Sequence, residues 1–343
     1  MLHILKYLFI GSLLFVSSCK SLPTPQVLIQ EFPVKGVSIR ALQVVDSQTL
    51  YWAGSNGYYG FTKDGGKTWT QKRITYKDSI HPHFRSIAYN GKSIFLLSIE
   101  SPALLYKLTG DKAELVYTET HKKAFYDALI FSKNGLGVAM GDPTDDCLSV
   151  LISRDYGTSW RKVSCSKLPK TDTGEAAFAA SNGNIKIIGN KIWLVSGGTK
   201  SRVFQSENTG KTWRVFDTPI VQGKASEGIY AMDFYDTLHG CIIGGDYTKP
   251  LYNDKNIALT QDGGRTWQLV AIGKEPNYKS AVQYVPGSKG KELIAVGKTG
   301  ISYSKDSGKT WHQISDAAFF SIRFVDKHSA WLGGAEKLGF LRF

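Results

Sequence analysis

An eight-residue pattern that recurs five times constrains the fold of this chain more than any other feature. The copies occupy residues 62–69, 153–160, 206–213, 260–267 and 304–311, and read Ser/Thr-x-Asp-x-Gly-x-Thr/Ser-Trp, with Asn in place of Asp in the third. We call this pattern a box. It favours a tight turn, because the acidic side chain accepts hydrogen bonds from the N–H groups of the turn and glycine adopts positive φ. The tryptophan then supplies a large apolar body to the following strand. The pattern therefore predicts five β-hairpins.

The third position of each box is assigned a structural role. Its five members are Asp64, Asp155, Asn208, Asp262 and Asp306. Successive members lie 91, 53, 54 and 44 residues apart, so the first interval has room for two units. A period of roughly 45 residues with several short strands per unit is typical of a β-propeller.

The number of units follows from dividing each into four strands, A to D, with the box at the C–D turn. Units one to six open at Ser38, Phe84, Phe125, Glu175, Gly228 and Lys279. A seventh unit opens at Phe319 and ends one strand short, whereas residues 27–32 belong to no unit. We expect this N-terminal segment to pair with the C-terminal one, because closure removes an unpaired edge. The prediction is an all-β, seven-bladed propeller in which the N-terminal strand is the outer strand of the last blade, with six blades as the alternative.

The N-terminus carries the features of an export signal. Lys6 precedes an apolar run at residues 7–16, which is too short to span a bilayer. The sequence Val-Ser-Ser-Cys at 16–19 resembles the bacterial lipoprotein box, which implies acylation of Cys19. An ordinary signal peptide is the alternative.

The predicted organisation is a signal peptide at 1–18, a tether at 19–25 and one propeller domain at 26–343. The protein should then sit on a lipid membrane in the bacterial cell envelope, on the periplasmic side, with surface exposure left open.

The charge balance is basic, but it does not indicate nucleic-acid binding. Lys and Arg number 42 against 29 Asp and Glu, giving a net charge of +13. These residues are scattered, and no nucleic-acid reader motif is present. Cys147 and Cys165 flank the second box and should lie nearly opposite each other on adjacent strands, so an oxidising compartment would favour a disulfide if the geometry permits. Cys241 lies in an apolar run and is expected to be buried.

A candidate binding site comes from aligning the A strands. One column contains Arg40, Arg85, Asp127, Glu175, Tyr230, Ser280 and Phe320. The first five are charged or phenolic within otherwise apolar strands. We expect them to ring one mouth of the central channel, where the arginines could bind an anionic group such as a peptide terminus. The alternative is that they pair with each other across the channel.

The boxes also carry a family resemblance. Together with Gly-Asp-Pro at 141–143 and Gly-Gly at 197–198, 244–245 and 333–334, they resemble the Asp-box, or bacterial neuraminidase repeat, propellers. The whole chain looks most like the photosystem II assembly and stability factor type. The boxes are specific for the fold and not for a function. From the loops around the channel mouth we expect a monomeric, non-catalytic scaffold that binds a protein partner or an assembling membrane complex. No dinucleotide fingerprint is present, so no cofactor is expected.

The same column also permits enzymatic alternatives. A sialidase would need an arginine triad and a Tyr–Glu nucleophile couple. Arg85 in Phe-Arg-Ser-Ile matches part of one arginine motif, Tyr230 and Glu175 could form the couple, but Arg323 falls off the column. Asp127 and Glu175 on adjacent blades could also act as a carboxylate pair for glycoside hydrolysis.

Metal binding is a further alternative. His81 and His83 beside Asp127 could contribute ligands. Two histidines in a loop are more often surface residues, so neither a metal site nor a catalytic residue is assigned.

Overall fold

The computed structural model describes residues 25–274 and 276–343, which form an all-β structure as predicted. The predicted signal peptide, Cys19 and the tether up to residue 24 lie outside the described residues. One short 3₁₀ helix, Cys165–Lys167, accompanies the strands. Within the described chain, no helix has the length and apolar character needed to cross a membrane.

The strands are short and follow one another closely. The first fourteen are β1 Leu28–Val44, β2 Leu50–Gly54, β3 Tyr58–Thr62, β4 Thr70–Arg73, β5 Phe84–Tyr89, β6 Ile94–Ser98, β7 Ala103–Thr109, β8 Lys112–Glu119, β9 Tyr126–Phe131, β10 Gly137–Gly141, β11 Ser149–Ser153, β12 Arg161–Lys162, β13 Glu175–Ala176 and β14 Ile185–Ile188. The others are β15 Lys191–Val195, β16 Gly197–Gly198, β17 Arg202–Ser206, β18 Arg214–Asp217, β19 Glu227–Phe234, β20 Gly240–Asp246, β21 Ile257–Thr260, β22 Gln268–Leu269, β23 Ala281–Tyr284, β24 Leu293–Gly297, β25 Gly300–Ser304, β26 His312–Ser315, β27 Ser321–Asp326, β28 Ser329–Gly333 and β29 Ala335–Arg342.

Most strands belong to four-stranded antiparallel sheets. Four such sheets are β5–β8, β9–β12, β14-β15-β17-β18 and β23–β26. A six-stranded sheet consists of β19–β22 with the two-residue strands β13 and β16 added at its edge. The last sheet has the order β27-β28-β29-β1-β2-β3-β4. Hairpin connections between consecutive strands explain why sequence neighbours are also spatial neighbours.

The last sheet joins the two ends of the chain. The first part of β1 pairs with β29, with Leu28 opposite Arg342 and Ile29 opposite Leu341. The second part of β1 pairs with β2, with Leu42 opposite Trp52. One long strand therefore completes a four-stranded group with β27–β29 and opens another with β2–β4.

The core lies between the faces of neighbouring sheets. Ala128, Met140 and Val150 of one sheet share a buried cluster with Leu194 and Phe204 of the next. Similar clusters fill the other interfaces. Burial of both faces of the central strands explains their nearly continuous apolar runs.

The box turns share one face of the molecule, which we call the box face. Arg154 in the second box donates to the Thr209 carbonyl in the third at 2.8 Å. Arg265 in the fourth box donates to Glu207 in the third at 3.3 Å. Turns between A and B strands also contact the boxes, as in the hydrogen bond from Gly65 N–H to the Gln48 carbonyl.

Each box is closed by its acidic or amide side chain. Asp64 accepts the Thr68 N–H at 2.9 Å and the Thr68 hydroxyl at 2.6 Å. In the third box, Asn208 accepts the Thr212 N–H at 2.9 Å and donates its amide to the Thr212 hydroxyl at 2.9 Å. The hydroxyl can act as donor or acceptor, so Asn replaces Asp without loss of a bond.

Candidate functional site

Four of the five predicted channel residues occupy β-bulges in their inner strands. Ile39 pairs with Gly54, and Ala41 pairs with Ala53. Because Gly54 and Ala53 are consecutive in β2, Arg40 is an extra residue in β1 that has no partner of its own. The same register shift occurs at Arg85, Asp127 and Tyr230. A bulge turns its extra side chain out of the regular alternation. The repeated bulge therefore gives these side chains a common placement in different sheets.

Glu175 does not share this placement, because it is the first residue of β13 and a regular pair partner of Gly198, so the predicted column does not extend to it. It lies on β13, which pairs with β16 rather than with the strands of the neighbouring four-stranded sheet. The inner strand of that sheet starts at Ile185, directly after Asn184. The backbone carbonyl of Asn184 accepts the Val195 N–H at 3.1 Å, and no described residue bonds its buried side-chain amide.

The carboxylate of Glu175 is instead committed to local structure. It accepts the Arg202 Nε at 3.0 Å, the Asp172 N–H at 2.9 Å and the Ser196 hydroxyl at 2.5 Å. The side chain is buried by these contacts. Glu175 is therefore not available as a counter-charge at the channel.

The sialidase alternative loses its nucleophile couple for the same reason. The Tyr230 hydroxyl donates to the Ser226 carbonyl at 2.8 Å, and Glu175 is held by Arg202. In the described residues, Tyr230 and Glu175 are not hydrogen-bonded. No group of three or more His, Cys, Asp or Glu side chains suited to a metal ion occurs within the described ranges either.

Residues 178–184 form a central segment that is held by arginines from other sheets. Arg40 Nη1 donates to the Ala180 carbonyl at 3.1 Å, and Arg85 Nη1 donates to the Ala179 carbonyl at 3.0 Å. These contacts span 140 and 94 residues of sequence. The two predicted arginines thus bind backbone carbonyls of their own chain.

A third arginine, Arg323, lies outside the predicted column and completes this arrangement. Arg323 Nη2 donates to the carbonyls of Ser181 and Asn182, at 3.1 and 2.9 Å. The Asn182 side chain accepts the Leu129 N–H at 2.7 Å and donates to the Ile87 carbonyl at 2.9 Å. The central segment is therefore fixed by bonds to several sheets.

Burial changes the acidity of these arginines. Burial and the nearby charge of Arg85 lower the pKa of Arg40 to about 10, and burial lowers the pKa of Arg323 to about 10. Arg40 also lies 3.8 Å from the centroid of the Phe320 ring, and no described residue bonds its Nε. Both groups remain cationic at neutral pH, and Arg40 keeps one buried donor without a partner.

Above the central segment lies a pocket of about 290 Å³ with two guanidinium groups and several aromatic rings. Phe178 and Tyr230 stack at 3.8 Å, and Tyr278 meets Tyr230 edge-on at 4.8 Å. Tyr247 and Lys298 are exposed at its rim, and Lys298 Nζ donates to the Tyr247 carbonyl. The remaining lining side chains include Arg40, Arg85 and Phe320. We call this site the aromatic pocket.

Two further carboxyl groups, Asp127 and Asp142, interact electrostatically with each other, and Asp127 also interacts with Arg85. Asp127 is fully buried, and neither carboxyl oxygen has a hydrogen-bond partner among the described residues. Burial, together with the charge of Asp142, holds the pKa of Asp127 well above its usual value. Burial also raises the pKa of Asp142 to about 6, although its Oδ1 accepts the Ala177 N–H at 2.7 Å. Asp127 therefore does not pair by hydrogen bonding with Arg85.

The two cysteines considered for a disulfide lie beside the strands and not on them, since Cys147 precedes β11 and Cys165 follows β12. Cys147 and Cys165 form a disulfide with a Cα–Cα distance of 5.5 Å. Cys241 is free and buried, and burial raises the pKa of its thiol. The disulfide ties the loop before β11 to the 3₁₀ helix after β12.

Comparisons with solved structures identify the fold as that of β-propellers. "YCF48 bound to D1 peptide" matches with a TM-score of 0.66 at 16% identity, covering 94% of this chain and 99% of that one. YCF48 from Cyanidioschyzon merolae matches with a TM-score of 0.60 at 13% identity, covering 92% and 98%. Virginiamycin B lyase from Staphylococcus aureus matches with a TM-score of 0.67 at 14% identity, covering 93% and 100%. No protein-family model and no curated protein matches the chain.

Proposed function

We propose that this chain is a non-catalytic, lipid-anchored propeller that binds a protein partner through the aromatic pocket. The observation that carries the proposal is the pocket itself, where Arg40 and Arg85 face a cavity walled by Phe178, Tyr230 and Tyr278. Guanidinium groups recognise carboxylates, and aromatic walls bury an apolar side chain. The expected ligand is a peptide segment that carries a carboxylate next to an apolar residue.

Two further observations support protein binding over catalysis. A solved structure with the same fold is described as bound to a peptide, and other matches are WD40 domains. The carboxyls near the pocket are poorly placed for acid–base chemistry, because Glu175 is held by Arg202 and Asp127 is fully buried. Preformed walls and a fixed central segment favour binding without rearrangement.

The proposed architecture is a closed ring of seven blades. The four-stranded sheets supply four blades, and β19–β22 supply a fifth. The last sheet divides at β1 into two more, one closed by the pairing of Leu28 with Arg342. Seven four-stranded blades account for the assigned strands, except for the two-residue strands β13 and β16.

Anchoring at Cys19 and location in the bacterial envelope belong to the same proposal. The lipoprotein-like sequence at 16–19 motivates it. The Cys147–Cys165 disulfide supports it, because disulfides persist in oxidising compartments outside the cytoplasm. Metabolic labelling with an alkyne fatty acid should mark the wild type and not Cys19→Ala, and an unlabelled wild type would refute anchoring.

Site-specific crosslinking in cells tests the pocket. A photoreactive residue is placed at Tyr247, on the pocket rim, or at Tyr235, a tyrosine of similar exposure in the turn between β19 and β20. We expect one defined protein adduct from position 247 and none from position 235. Adducts that are the same at both positions would refute the pocket as the binding site.

A variant then tests the aromatic wall. Tyr247→Ala should reduce capture of that protein about tenfold, since a buried aromatic contact is worth about 1–2 kcal/mol, while Tyr235→Ala should not. Thermal unfolding of both variants separates loss of binding from loss of fold.

A further inference from the structure

A second charged site lies on the side of the molecule, between β12 and the third box. A groove of about 590 Å³ separates the edge of one sheet from the box turn of the next. Five cationic side chains line it, Arg154, Arg161, Lys162, Lys167 and Lys211, together with one carboxylate, Asp155. All five cations are exposed. We call this the cationic groove.

Within the described residues, the Asp155 carboxylate forms no ion pair with these cations. Asp155 Oδ1 accepts the Ser159 N–H at 2.9 Å and the Ser153 hydroxyl at 2.8 Å, and Oδ2 accepts the Ser159 hydroxyl at 2.6 Å. Arg154 donates to the Thr209 carbonyl and forms no ion pair among the described residues. The box hydrogen bonds therefore hold the Asp155 carboxylate in its turn, and its single negative charge is outnumbered by the five cations of the groove.

Most of the remaining positive charge is uncompensated. Lys162 pairs with Glu119 at 2.5 Å. Arg161, Lys167 and Lys211 form no ion pair with any residue in the described part of the chain. Holding several like charges around one groove costs electrostatic free energy unless an anion occupies it.

The groove is also held rigidly. Cys165, at the start of the 3₁₀ helix, is disulfide-bonded to Cys147, and Ser164 caps that helix by accepting the Ser166 N–H. Val163 N–H donates to the Val150 carbonyl at 2.8 Å. The backbone that carries these cations is therefore ordered before any ligand arrives, which favours affinity.

We propose that the cationic groove binds an extended acidic peptide segment, at a site separate from the aromatic pocket. Strand β12 is the outer strand of its sheet, so its outer edge is free to lie beside an extended chain. Ile152 and Val163 in the lining can contact the methylene groups of acidic side chains. Several carboxylates in a row match the spacing of several cations better than one phosphate does.

The test measures binding of fluorescein-labelled octaglutamate to the full-length protein by anisotropy, with octaglutamine as the neutral probe. We expect octaglutamate to bind at low salt, to weaken strongly at high salt, and octaglutamine not to bind. The variant Arg161→Glu/Lys167→Glu should weaken binding at least about tenfold. The matched variant Lys67→Glu/Lys327→Glu has the same change in net charge at exposed positions outside the groove, and should weaken it less than about twofold.

Three results would overturn the proposal. Equal weakening by the two double variants would show that net charge, not the groove, attracts the probe. Binding of octaglutamine as tight as that of octaglutamate would exclude charge recognition. Displacement of octaglutamate by phosphatidylglycerol vesicles or inorganic pyrophosphate at lower concentration than unlabelled octaglutamate would assign the groove to phosphate groups. Tyr247→Ala should leave octaglutamate binding unchanged, which separates this site from the aromatic pocket.

Discussion

Arg323 Nη2 lies 2.9 Å from the carbonyl oxygen of Asn182, although the two residues are 141 positions apart. The same nitrogen donates to the Ser181 carbonyl at 3.1 Å. A guanidinium group is suited to this task because it presents several donors in one plane. The central segment, and the aromatic pocket above it, therefore depend on a residue of the last sheet.

Replacing Arg323 should destabilise the whole domain. Arg323→Met removes the donors of two carbonyls in a poorly hydrated position and should lower the free energy of unfolding by about 3 kcal/mol. Chemical denaturation measures this, with the exposed Arg342→Met as the control that should change it little. Equal effects of the two substitutions would show that the central segment does not need Arg323.

The disulfide should contribute measurably to stability. The double substitution Cys147→Ala/Cys165→Ala should lower the free energy of unfolding by about 3 kcal/mol, because a loop of this length is otherwise unconstrained in the unfolded chain. A reducing agent should destabilise the wild type and leave the double variant unaffected. The control is Cys241→Ala, which should respond to the reducing agent as the wild type does.

Replacing a box carboxylate by an amide should change the stability little, whereas replacing it by the methyl group of alanine should lower the stability. Partial burial raises the pKa of Asp262, but hydrogen bonds from the Thr266 hydroxyl and N–H outweigh it and leave this pKa below its ordinary value. Asp262→Ala should cost about 1 kcal/mol, as loss of a capping side chain does, and Asp262→Asn much less, since Asn208 already serves in the third box.

The pH dependence of that substitution has a defined sign. A depressed folded-state pKa gives stability that is present above the unfolded pKa, near 4, and disappears as the pH falls through the folded value. The deficit of Asp262→Ala should therefore shrink on acidification. A deficit that stays constant at low pH would show that ionisation of the carboxyl does not matter.

Asp142 should have the opposite effect on the pH profile. Its folded pKa of about 6 exceeds the ordinary value of 3.8, so between these values the folded protein keeps a proton that the unfolded chain releases. Its contribution therefore falls as pH rises through this window, by on the order of 3 kcal/mol in total.

Asp142→Asn removes this titration and retains the acceptor for the Ala177 N–H. The substitution should make the free energy of unfolding depend less on pH between about pH 4 and 6, the window between the unfolded and the folded pKa of Asp142. It should also stabilise the protein at neutral pH. Denaturation across that pH range is the measurement. The exposed Asp145→Asn should follow the wild type, and a matching change in both variants would contradict the assignment.

The regular part of the fold was accessible from the sequence. The boxes repeat, and their turn chemistry is local, so Asp64 and Asn208 could be assigned before any coordinates. The pairing of the N-terminal segment with the C-terminal one also followed, because one orphan segment and one incomplete unit need each other, and the structure places Leu28 opposite Arg342. The column that contains Arg40, Arg85, Asp127 and Tyr230 could be recognised because these polar side chains interrupt apolar strands at equivalent positions.

The irregular part was not accessible. The central segment has no counterpart in the other units and separates β13, which pairs with β16, from β14, which pairs with β15, so the column could not be extended to Glu175. The partners of Arg40 and Arg85 are backbone carbonyls of that segment, which no side-chain pattern reveals. Arg323 was set aside because its spacing does not fit the column. A lone arginine within an otherwise apolar strand was the signal that could have retained it.

The pairing of the two chain ends has a mechanical consequence. Leu28 lies opposite Arg342 and Pro33 opposite Lys337, so a pull on the N-terminus along the strand shears these hydrogen bonds simultaneously instead of unzipping them singly. The Phe32 ring lies 5.5 Å from Trp69 and 5.6 Å from Trp331, and it must also slide past both before the strand detaches. The pairing of β1 with β29 therefore resists a force applied along the N-terminal segment better than a force applied perpendicular to the strand.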